Sequence, residues 1–182
     1  MKNELSKKRM IKKQQKFNIG GKIMGNLTPK ESYSNISDIS LNYLINDIHI
    51  KGLIFDFDGT LIRNKSVSVD TLNFLKKAKY EGLKLSILSN NPYVSKTILK
   101  TINIPTTKKF ACKPLKKPFL DMAKKMGLNP NEIAVIGNNR ISDIWGANRA
   151  GMYSIYIQNL NSYRYKKKIE DTLKNLGIKH IK

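Results

Sequence analysis

The sequence predicts an α/β fold with a doubly wound, Rossmann-like parallel sheet between two layers of helices. Short, continuously apolar runs of strand length alternate with helix-like stretches over about a hundred residues. Glycine or proline lies at most of the boundaries between these segments. Each apolar run is followed at once by polar residues or glycine. Strands that alternate with helices form parallel sheets with right-handed crossovers, so these observations predict three layers in the order α/β/α.

The predicted elements become regular from residue 51 onward. Residues 52–57 form an apolar run that ends in acids, which is typical of a strand buried on both faces. A helix is predicted over residues 69–81, because apolar side chains recur at a spacing of three and Gly82 follows as a stop signal. The next predicted elements, in chain order, are a strand at 84–88, a helix at 94–102 and a short strand at 109–112.

The second half of the chain continues this alternation. Pro118 is expected to open a helix that runs to Met126, just before Gly127. Residues 133–136 and 153–157 are the fourth and fifth predicted strands, with a helix ending at Gly151 between them. Before residue 51 the pattern is weaker, and the isoleucines and leucines from 36 to 48 predict one or two short helices.

The chain is strongly basic. Of its 182 residues, 34 are Lys or Arg and 13 are Asp or Glu, so the formal net charge is +21. This charge favours an anionic partner, such as nucleic acid, an anionic membrane surface or a phosphorylated substrate. The basic residues are 29 Lys and 5 Arg, beside 23 Ile and 19 Asn, so a bias toward A/T-rich codons is the alternative explanation. Because Arg, the usual residue for specific phosphate and base recognition, is scarce, nucleic acid is the less favoured partner.

Three segments are predicted along the chain. Residues 1–25 form a basic arm without a steady apolar period, residues 26–160 form the domain, and residues 161–182 form a basic amphipathic helix. The arm lacks the apolar core of a secretory signal, and no apolar run is long enough to span a membrane. The single Cys112 excludes an intramolecular disulfide. We therefore expect a cytoplasmic protein, with peripheral contact to an anionic membrane as a further hypothesis.

Polar residues that follow the predicted strands form the candidate functional site, because ligands of doubly wound sheets bind beyond the carboxyl ends of the strands. Asp56 and Asp58 follow the first strand. Two carboxylates so close together lose solvation unless a cation or a catalytic role offsets the cost, and a helix-capping turn would explain only one of them. Ser89 and the main-chain N–H groups after it, beginning with Asn90, can hold phosphate oxygens or simply end the second strand.

Two later strand ends add further candidates. Lys113 follows the third predicted strand, where its ammonium group can neutralise phosphoryl charge, although one Lys among 29 carries little information. Asp143 lies shortly after the fourth strand. Its carboxylate suits Mg²⁺ as a hard oxygen ligand, and an acid that complements the dipole at a helix N-terminus is the alternative.

Taken together, these motifs resemble those of the haloacid dehalogenase (HAD) superfamily of phosphatases. Residues 56–61 (DFDGTL) look like the first motif of that superfamily, Ser89 the second, Lys113 the third and residues 137–143 the fourth, GDxxxxD. SNN at 89–91, KP at 113–114 and GANRAGM at 146–152 are similar to the YqeG-type phosphatases of subfamily IIIA. The resemblance covers about residues 25–160 and implies a HAD-like fold.

The resemblance also implies a Mg²⁺-dependent hydrolysis of phosphomonoesters through an aspartyl-phosphate. Asp56 would be the covalent nucleophile, and Asp58 would be the general acid and then the general base. The residues implied as phosphate-binding are Ser89, Asn90 and Lys113, and those implied as metal ligands are Asp56, Asp58 (through its main-chain carbonyl), Asp143 and Asn138.

One of these positions departs from the family pattern. The fourth motif usually begins with Gly-Asp, whereas position 138 is Asn. The amide oxygen of Asn138 can still bind Mg²⁺, but the site loses one negative charge, so we expect weaker Mg²⁺ binding. Complete loss of activity and a substitution without consequence are the two alternatives.

The spacing of the motifs predicts an open, capless site. Between Asp58 and Ser89 lie 30 residues, and between Ser89 and Lys113 lie 23, each enough for one helix and one strand but not for an inserted cap domain. An open, basic site suits a phosphate presented by a large molecule or a membrane, and related subfamily members act as phosphatidylglycerophosphate phosphatases. The competing hypothesis is a weakly active or inactive HAD-like binding protein associated with the ribosome, RNA or another anionic partner.

Overall fold

A six-stranded parallel sheet forms the centre of the computed structural model, which describes residues 27–158. The strands are β1 (Glu31–Tyr33), β2 (Gly52–Phe55), β3 (Lys84–Leu88), β4 (Thr106–Lys108), β5 (Ile133–Gly137) and β6 (Tyr153–Ile157). The α-helices are α1 (Leu41–Asn46), α2 (Val69–Tyr80), α3 (Lys96–Ile102), α4 (Lys116–Met126) and α5 (Gly146–Arg149). Short 3₁₀-helices span Ile36–Asp38 and Pro130–Glu132, and a π-helical segment spans Arg140–Trp145. The arm predicted at 1–25 and the helix predicted at 161–182 lie outside the described residues.

The strand order is β1-β6-β5-β2-β3-β4. The chain proceeds from β2 outward to β3 and β4, and then crosses to β5 and β6 on the other side. Phe55 at the end of β2 lies beside Ile87 of β3 and Ile136 of β5, so the three strands end at the same edge. The direction of winding reverses between β2 and β5, which is where such sheets bind ligands. The predicted doubly wound α/β fold is confirmed.

Both faces of the sheet are covered, as the apolar runs predicted. Leu53 and Phe55 of β2 pack into the cluster of the face that carries α1, α2 and α3, while Ile54 packs into the cluster of the α4 and α5 face. The helices contribute Leu44, Phe74, Leu75, Ala78 and Ile102 to the first cluster and Phe119, Met122, Met126 and Ala147 to the second. Because successive side chains of a strand point to opposite faces, a fully apolar strand is required between two helical layers.

One strand was absent from the sequence prediction. β1 pairs in parallel with β6 at the sheet edge, with Glu31 beside Ile155. The amides of Lys30 and Gln158 extend this pairing, donating to the carbonyls of Ser154 (2.9 Å) and Tyr33 (2.8 Å). A three-residue strand with two polar residues has no apolar run of its own, so its pairing depends on a neighbour that is distant in sequence.

The strand predicted at 109–112 is wrong, because β4 lies earlier, at Thr106–Lys108. Phe110 and Cys112 have φ angles of 48° and 59°, and left-handed residues cannot continue a strand. Other boundaries moved only slightly. The helix predicted at 94–102 begins at Lys96, after Ser95 accepts a hydrogen bond from the amide of Ile98 at its N-terminus, and the helix predicted from Pro118 begins at Lys116.

No further domain is inserted among the described elements around the site. The loop after β2 forms a small hairpin in which the amide of Gly59 donates to the carbonyl of Ile62 (2.8 Å), while Arg63 and Ser66 pair in both directions (3.0 Å each). α2 follows directly, and α3 alone connects β3 to β4. The predicted capless arrangement is therefore observed between residues 56 and 113. Within residues 27–158, no helix has the length and apolar character needed to cross a bilayer.

Candidate active site

The carboxyl ends of β2, β4 and β5 bring three charged side chains into contact. The ammonium group of Lys113 lies 2.7 Å from Asp56 Oδ1 and 2.7 Å from Asp143 Oδ1. The side chains of Lys113 and Asp143 are 2% and 1% exposed, whereas Asp56 is 12% exposed and so remains accessible from solvent. Buried charges persist only when they are paired, and here one cation is shared by two anions.

The surroundings shift the pKa values of Asp56 and Lys113. Burial and the negative charge of Asp143 raise the pKa of Asp56 to about 6, although Lys113 opposes the shift. Burial alone would lower the pKa of Lys113, but the two carboxylates more than offset it and raise that pKa. The trio carries one net negative charge when all three groups are ionised, so a further cation would be favoured beside it.

Asp143 is held by the π-helical segment that follows β5. Its Oδ2 accepts the main-chain N–H of Asn139 (2.9 Å), and its Oδ1 accepts the hydroxyl of Ser142 (3.0 Å). The Asn139 side chain in turn accepts the amides of Ile141 and Ser142 (2.9 Å each). Gly137 is needed at the end of β5, because a Cβ there would overlap the Asp143 carboxyl group. The glycine that begins the fourth motif thus makes room for its last acid.

Lys113 is positioned through its main chain. The Oδ1 of Asn90 accepts the amide of Lys113 (2.7 Å), and the Nδ2 of Asn90 donates to the carbonyl of Lys113 (3.0 Å). These two hydrogen bonds resemble the pairing between neighbouring strands, and they connect the loop after β3 to the loop after β4. One hydrogen of the Asn90 amide group and its own main-chain N–H are outside this pair, so the prediction that Asn90 binds phosphate is confined to those donors.

Ser89 lies immediately after β3 and is buried. Its amide donates to the carbonyl of Lys108 (3.0 Å), its carbonyl accepts the amide of Ala111 (2.9 Å), and its Oγ accepts the amide of Asn91 (3.0 Å). The hydroxyl hydrogen can still rotate toward a ligand. The turn prediction and the phosphate-binding prediction for Ser89 are therefore compatible.

Asp58 is exposed, and its carboxylate is oriented by a residue that the sequence prediction did not select. The Nδ2 of Asn91 donates to Asp58 Oδ2 at 3.0 Å, while the Oδ1 of Asn91 accepts the amide of Tyr93 (2.8 Å). Thr60 was also missed, and its hydroxyl donates to Asp56 Oδ2 at 3.4 Å. The signal for Asn91 was its place directly after Ser89 and Asn90 at a strand end. Nothing in its residue type alone indicates that it contacts Asp58.

Asn138 follows β5 and lies against the loop that carries the two acids. Its side-chain amide occupies the space that a Cβ of Gly59 would fill. Gly59 has a φ of 82°, so both its conformation and this contact favour glycine. The structure therefore brings six of the seven predicted residues, Asp56, Asp58, Asn90, Lys113, Asn138 and Asp143, into loops linked by direct contacts, with Ser89 adjoining them.

The donor set fits a hard divalent cation. Among residues 27–158 there is no cluster of three or more acidic, His or Cys side chains, so the charged ligands here would be Asp56 and Asp143. Mg²⁺ usually retains several waters and is bound by one or two carboxylates together with substrate phosphate. The carboxylates of Asp56 and Asp143, which together with Lys113 carry one net negative charge, suit that requirement. The side-chain oxygen of Asn138 and the main-chain carbonyl of Asp58 are the uncharged candidate ligands.

Comparison with known proteins identifies a family and a similar phosphatase. A model of the haloacid dehalogenase-like hydrolase family matches residues 66–151. The chain is 30% identical over 132 residues to the probable phosphatase YqeG of Bacillus subtilis, an alignment that covers 71% of this chain and 76% of that protein.

Solved structures of similar fold include two uncharacterized proteins. One, from Corynebacterium glutamicum, has a TM-score of 0.51 and 22% identity, covering 73% of this chain and 99% of that chain. The other, from Listeria monocytogenes serotype 4b, has a TM-score of 0.51 and 20% identity, covering 68% of this chain and 99% of that chain. These similarities concern the fold.

Proposed function

Because the chain belongs to the haloacid dehalogenase superfamily, as a YqeG-type phosphatase, we propose that it hydrolyses phosphatidylglycerophosphate through an aspartyl-phosphate with Mg²⁺ as cofactor. The observation that carries the proposal is the buried contact of Lys113 with Asp56 and Asp143, at the edge where Asp58 is held by Asn91. An accessible carboxylate next to a buried cation, with a second acid nearby, is an arrangement suited to phosphoryl transfer.

Asp56 acts as the nucleophile in this proposal. One of its oxygens forms a bond to phosphorus while the bond from phosphorus to the ester oxygen breaks. Two features of the site support this role: Asp56 is the less buried of the two paired carboxylates, and its main-chain amide is fixed by the carbonyl of Ile136 (2.9 Å). Asp143, at 1% exposed, is too enclosed to reach a substrate and serves as a ligand instead.

Asp58 supplies and removes the proton. In the first step it protonates the departing alcohol oxygen, and in the second it takes a proton from the water that attacks phosphorus and releases Asp56. Its exposure and its hydrogen bond to Asn91 (3.0 Å) support this role, because the group must face both the leaving group and water.

Lys113 and Ser89 bind the phosphate oxygens, and Asp56, Asp143, Asn138 and the main-chain carbonyl of Asp58 are the proposed Mg²⁺ ligands. When bound, Mg²⁺ supplies positive charge that reduces repulsion between the Asp56 carboxylate and the phosphate dianion. Lys113 contributes in the same direction, since its raised pKa keeps the ammonium group charged through the physiological range.

The open site supports a phosphate presented by a large carrier. No domain covers the loops after β2, β3 and β4 among the described residues. The net charge of +21 favours an anionic carrier, and a lipid headgroup at a membrane is the source that we propose. Localisation in the cytoplasm with peripheral membrane contact belongs to the same proposal, and nucleic acid is the alternative partner.

A substrate panel tests the proposal. The full-length protein is assayed with phosphatidylglycerophosphate in detergent micelles, mononucleotides, sugar phosphates and an aryl phosphate, each with Mg²⁺ or EDTA. We expect turnover of the lipid to exceed that of the soluble esters, to vanish in EDTA, and to fall by about three orders of magnitude or more in Asp56→Asn. Lipid left intact while a soluble monoester is hydrolysed would refute the substrate.

Trapping the intermediate tests the mechanism separately. An aryl oxide leaves without protonation, whereas breakdown of the aspartyl-phosphate needs Asp58 as a base. The Asp58→Asn variant mixed with an aryl phosphate should therefore accumulate a phosphorylated chain that intact-mass spectrometry detects, while Asp56→Asn/Asp58→Asn should not. Equal phosphorylation of both variants would place the acceptor elsewhere.

Asn138→Asp restores the charge that the family pattern has at this position. Because Asn138 touches Gly59 in the loop of the two acids, we expect the Mg²⁺ concentration for half-maximal activity to fall by about tenfold. A Mg²⁺ titration of aryl phosphate hydrolysis measures this, with Asn129→Asp as the control, since Asn129 precedes the short 3₁₀-helix before β5, at the opposite edge of the sheet. An unchanged Mg²⁺ requirement would remove Asn138 from the ligand set.

A further inference from the structure

Large hydrophobic side chains are exposed around the candidate active site. Among the described residues eight such side chains are exposed, and four of them lie in the segments that directly follow β3, β4 and β5. These four, here called the rim, are Tyr93, Phe110, Leu115 and Ile141, with 89%, 70%, 56% and 45% exposure. Exposed hydrophobic groups that cluster at one place mark an interaction surface more often than scattered ones do.

The rim loops are tied together around the trio of Lys113 and its two acids. The Lys109 ammonium donates to the Val94 carbonyl (3.0 Å), which joins the loop of Tyr93 to the loop of Phe110. The amide of Leu115 donates to the carbonyl of Cys112 (3.1 Å), beside Lys113. On the other side, a Cβ on Gly146 would lie 3.3 Å from the Cα of Pro114, so the segment that begins with Arg140 and Ile141 ends against the residue before Leu115.

Local stability does not account for two of the rim residues. Phe110 has a φ of 48°, a left-handed conformation that Asn or Gly adopts at lower cost than a bulky residue. Leu115 occupies the position before the first residue of α4, where Ser, Thr, Asp or Asn would cap the helix, and it makes no side-chain capping bond. Where a sequence departs from local preference without a packing gain, a functional constraint is the expected reason.

Basic residues accompany the rim. The loops after β2 to β5 and the first residues of α3 and α4 carry the exposed basic side chains Arg63, Lys65, Lys96, Lys116, Lys117 and Arg140. The acids of the same loops are Asp56, Asp58 and Asp143, and the helices that follow add Asp70 and Asp121, the latter paired with Lys117 (3.0 Å). Outside the catalytic centre itself, this edge is therefore hydrophobic and positively charged.

We propose that the rim docks the active site onto an anionic lipid surface. Tyr93, Phe110, Leu115 and Ile141 enter the interfacial layer, while the surrounding lysines and arginines contact lipid phosphates. The proposal rests on the proposed function, since it explains how an open site would meet a phosphate held at a membrane. Leu115 and Ile141 have no aromatic face on which a base could stack, so a single-stranded nucleic acid fits the rim less well.

Vesicle sedimentation with the full-length protein tests this docking. The probes are phosphatidylcholine vesicles with and without phosphatidylglycerol, in buffer without Mg²⁺, so that binding is measured without hydrolysis. The variant is Phe110→Asn/Leu115→Ser, because both new residues suit the local backbone and should leave the fold intact. Tyr80→Ser is the matched control: Tyr80 is 90% exposed but ends α2, at the opposite edge of the sheet.

We expect the wild-type protein and Tyr80→Ser to partition equally onto the anionic vesicles, and the double variant to partition about tenfold less. The difference should persist at high salt, where attraction through the basic segments is screened. Hydrolysis of a soluble aryl phosphate should be unchanged in the double variant.

Three results would overturn the inference. The first is equal partitioning of the double variant and the wild-type protein onto the vesicles. The second is a loss of aryl phosphate hydrolysis in the double variant as large as its loss of vesicle binding. The third is a double variant that still binds vesicles but no longer binds a single-stranded RNA oligonucleotide. The proposed function fails independently, because a protein that docks through the rim but leaves phosphatidylglycerophosphate intact in micelles refutes the substrate alone. Conversely, hydrolysis in micelles without rim-dependent vesicle binding refutes the docking alone.

Discussion

At the scale of single residues, the site depends on asparagines that act through other side chains. The side chain of Asn90 forms hydrogen bonds with the main-chain N–H and carbonyl of Lys113, and the side chain of Asn91 donates to the carboxylate of Asp58. Asp56 and Asp58 could be predicted, because two carboxylates two residues apart after a buried strand have few structural explanations. Lys113 and Asp143 were assigned through the resemblance to the phosphatase family. Asn90 was predicted as a phosphate-binding residue, but the contacts of Asn90 with Lys113 and of Asn91 with Asp58 could not be predicted, since a turn after a strand is an ordinary place for asparagine.

Asn91→Ala should impair the reaction through Asp58. Without the 3.0 Å hydrogen bond the carboxylate is no longer oriented, and we expect kcat/KM for an alkyl phosphate to fall by about tenfold to a hundredfold. An aryl phosphate should be less affected, because its leaving group does not need a proton. Asn46→Ala is the control, since Asn46 bonds to Asn42 on the exposed surface of α1. Equal losses for both substrates would indicate a structural role for Asn91.

Asp56 should give the metal-free protein an unusual pH dependence of stability. Its pKa is raised to about 6 by burial and Asp143, so the folded state favours the protonated form. The resulting stabilisation is complete below about pH 4 and is lost as the pH rises through about 6, by about 3 kcal/mol at most.

Urea unfolding in EDTA measures this effect against Asp56→Asn, which cannot titrate. The free energy of unfolding of the wild-type protein should fall relative to that of the variant between about pH 4 and pH 7. Parallel profiles for the two proteins would mean that burial does not perturb Asp56.

At the scale of elements, the observed strands differ from the predicted ones where contacts with other segments determine their position. β4 lies three residues before its predicted start, since the segment that follows turns through left-handed Phe110 and Cys112 to present Lys113. β1 adds an edge strand whose Glu31 accepts the phenol groups of Tyr33 (3.0 Å) and Tyr153 of β6 (3.1 Å). This shared carboxylate joins the two strands beyond their main-chain pairing.

Tyr153→Phe should loosen that edge. Removing one of the two phenol donors leaves Glu31 bonded to Tyr33, so we expect a loss of about 1 kcal/mol in the free energy of unfolding. Urea denaturation measures the loss, and faster amide exchange in β1 should accompany it. Tyr80→Phe, at a fully solvated position, should change neither quantity. If Tyr153→Phe matched that control, Glu31 would not be joining the strands.

At the scale of the whole molecule, the positive charge is spread unevenly along the chain. Residues 27–158 contain 19 basic and 10 acidic residues, while the remaining 50 residues contain 15 basic and 3 acidic ones. More than half of the net charge of +21 is therefore carried by the flanking segments. Such charge acts at a distance by raising the local concentration of an anionic surface, and salt screens it.

Salt should therefore affect the two kinds of substrate differently. We expect kcat/KM for phosphatidylglycerophosphate in anionic vesicles to fall by about tenfold between low and physiological ionic strength. Hydrolysis of a soluble aryl phosphate should change far less, because a small ester has no extended surface to attract. Steady-state assays over a salt series compare the two. An equal decrease of kcat/KM for both substrates would mean that salt acts on the active site itself.

The class of fold, the central strands and the acids after the first of them could be predicted from local patterns in the chain, and the family resemblance added Lys113 and Asp143. Continuous apolar runs can only be buried between two layers, and polar residues after such runs lie at one edge of the sheet. Four features became visible only in the folded chain: the sharing of Lys113 by Asp56 and Asp143, the hydrogen bonds from Asn90 and Asn91, the edge strand β1 and the exposed rim. Each of these depends on contacts between segments that are far apart in the chain, and local sequence patterns do not reveal such contacts.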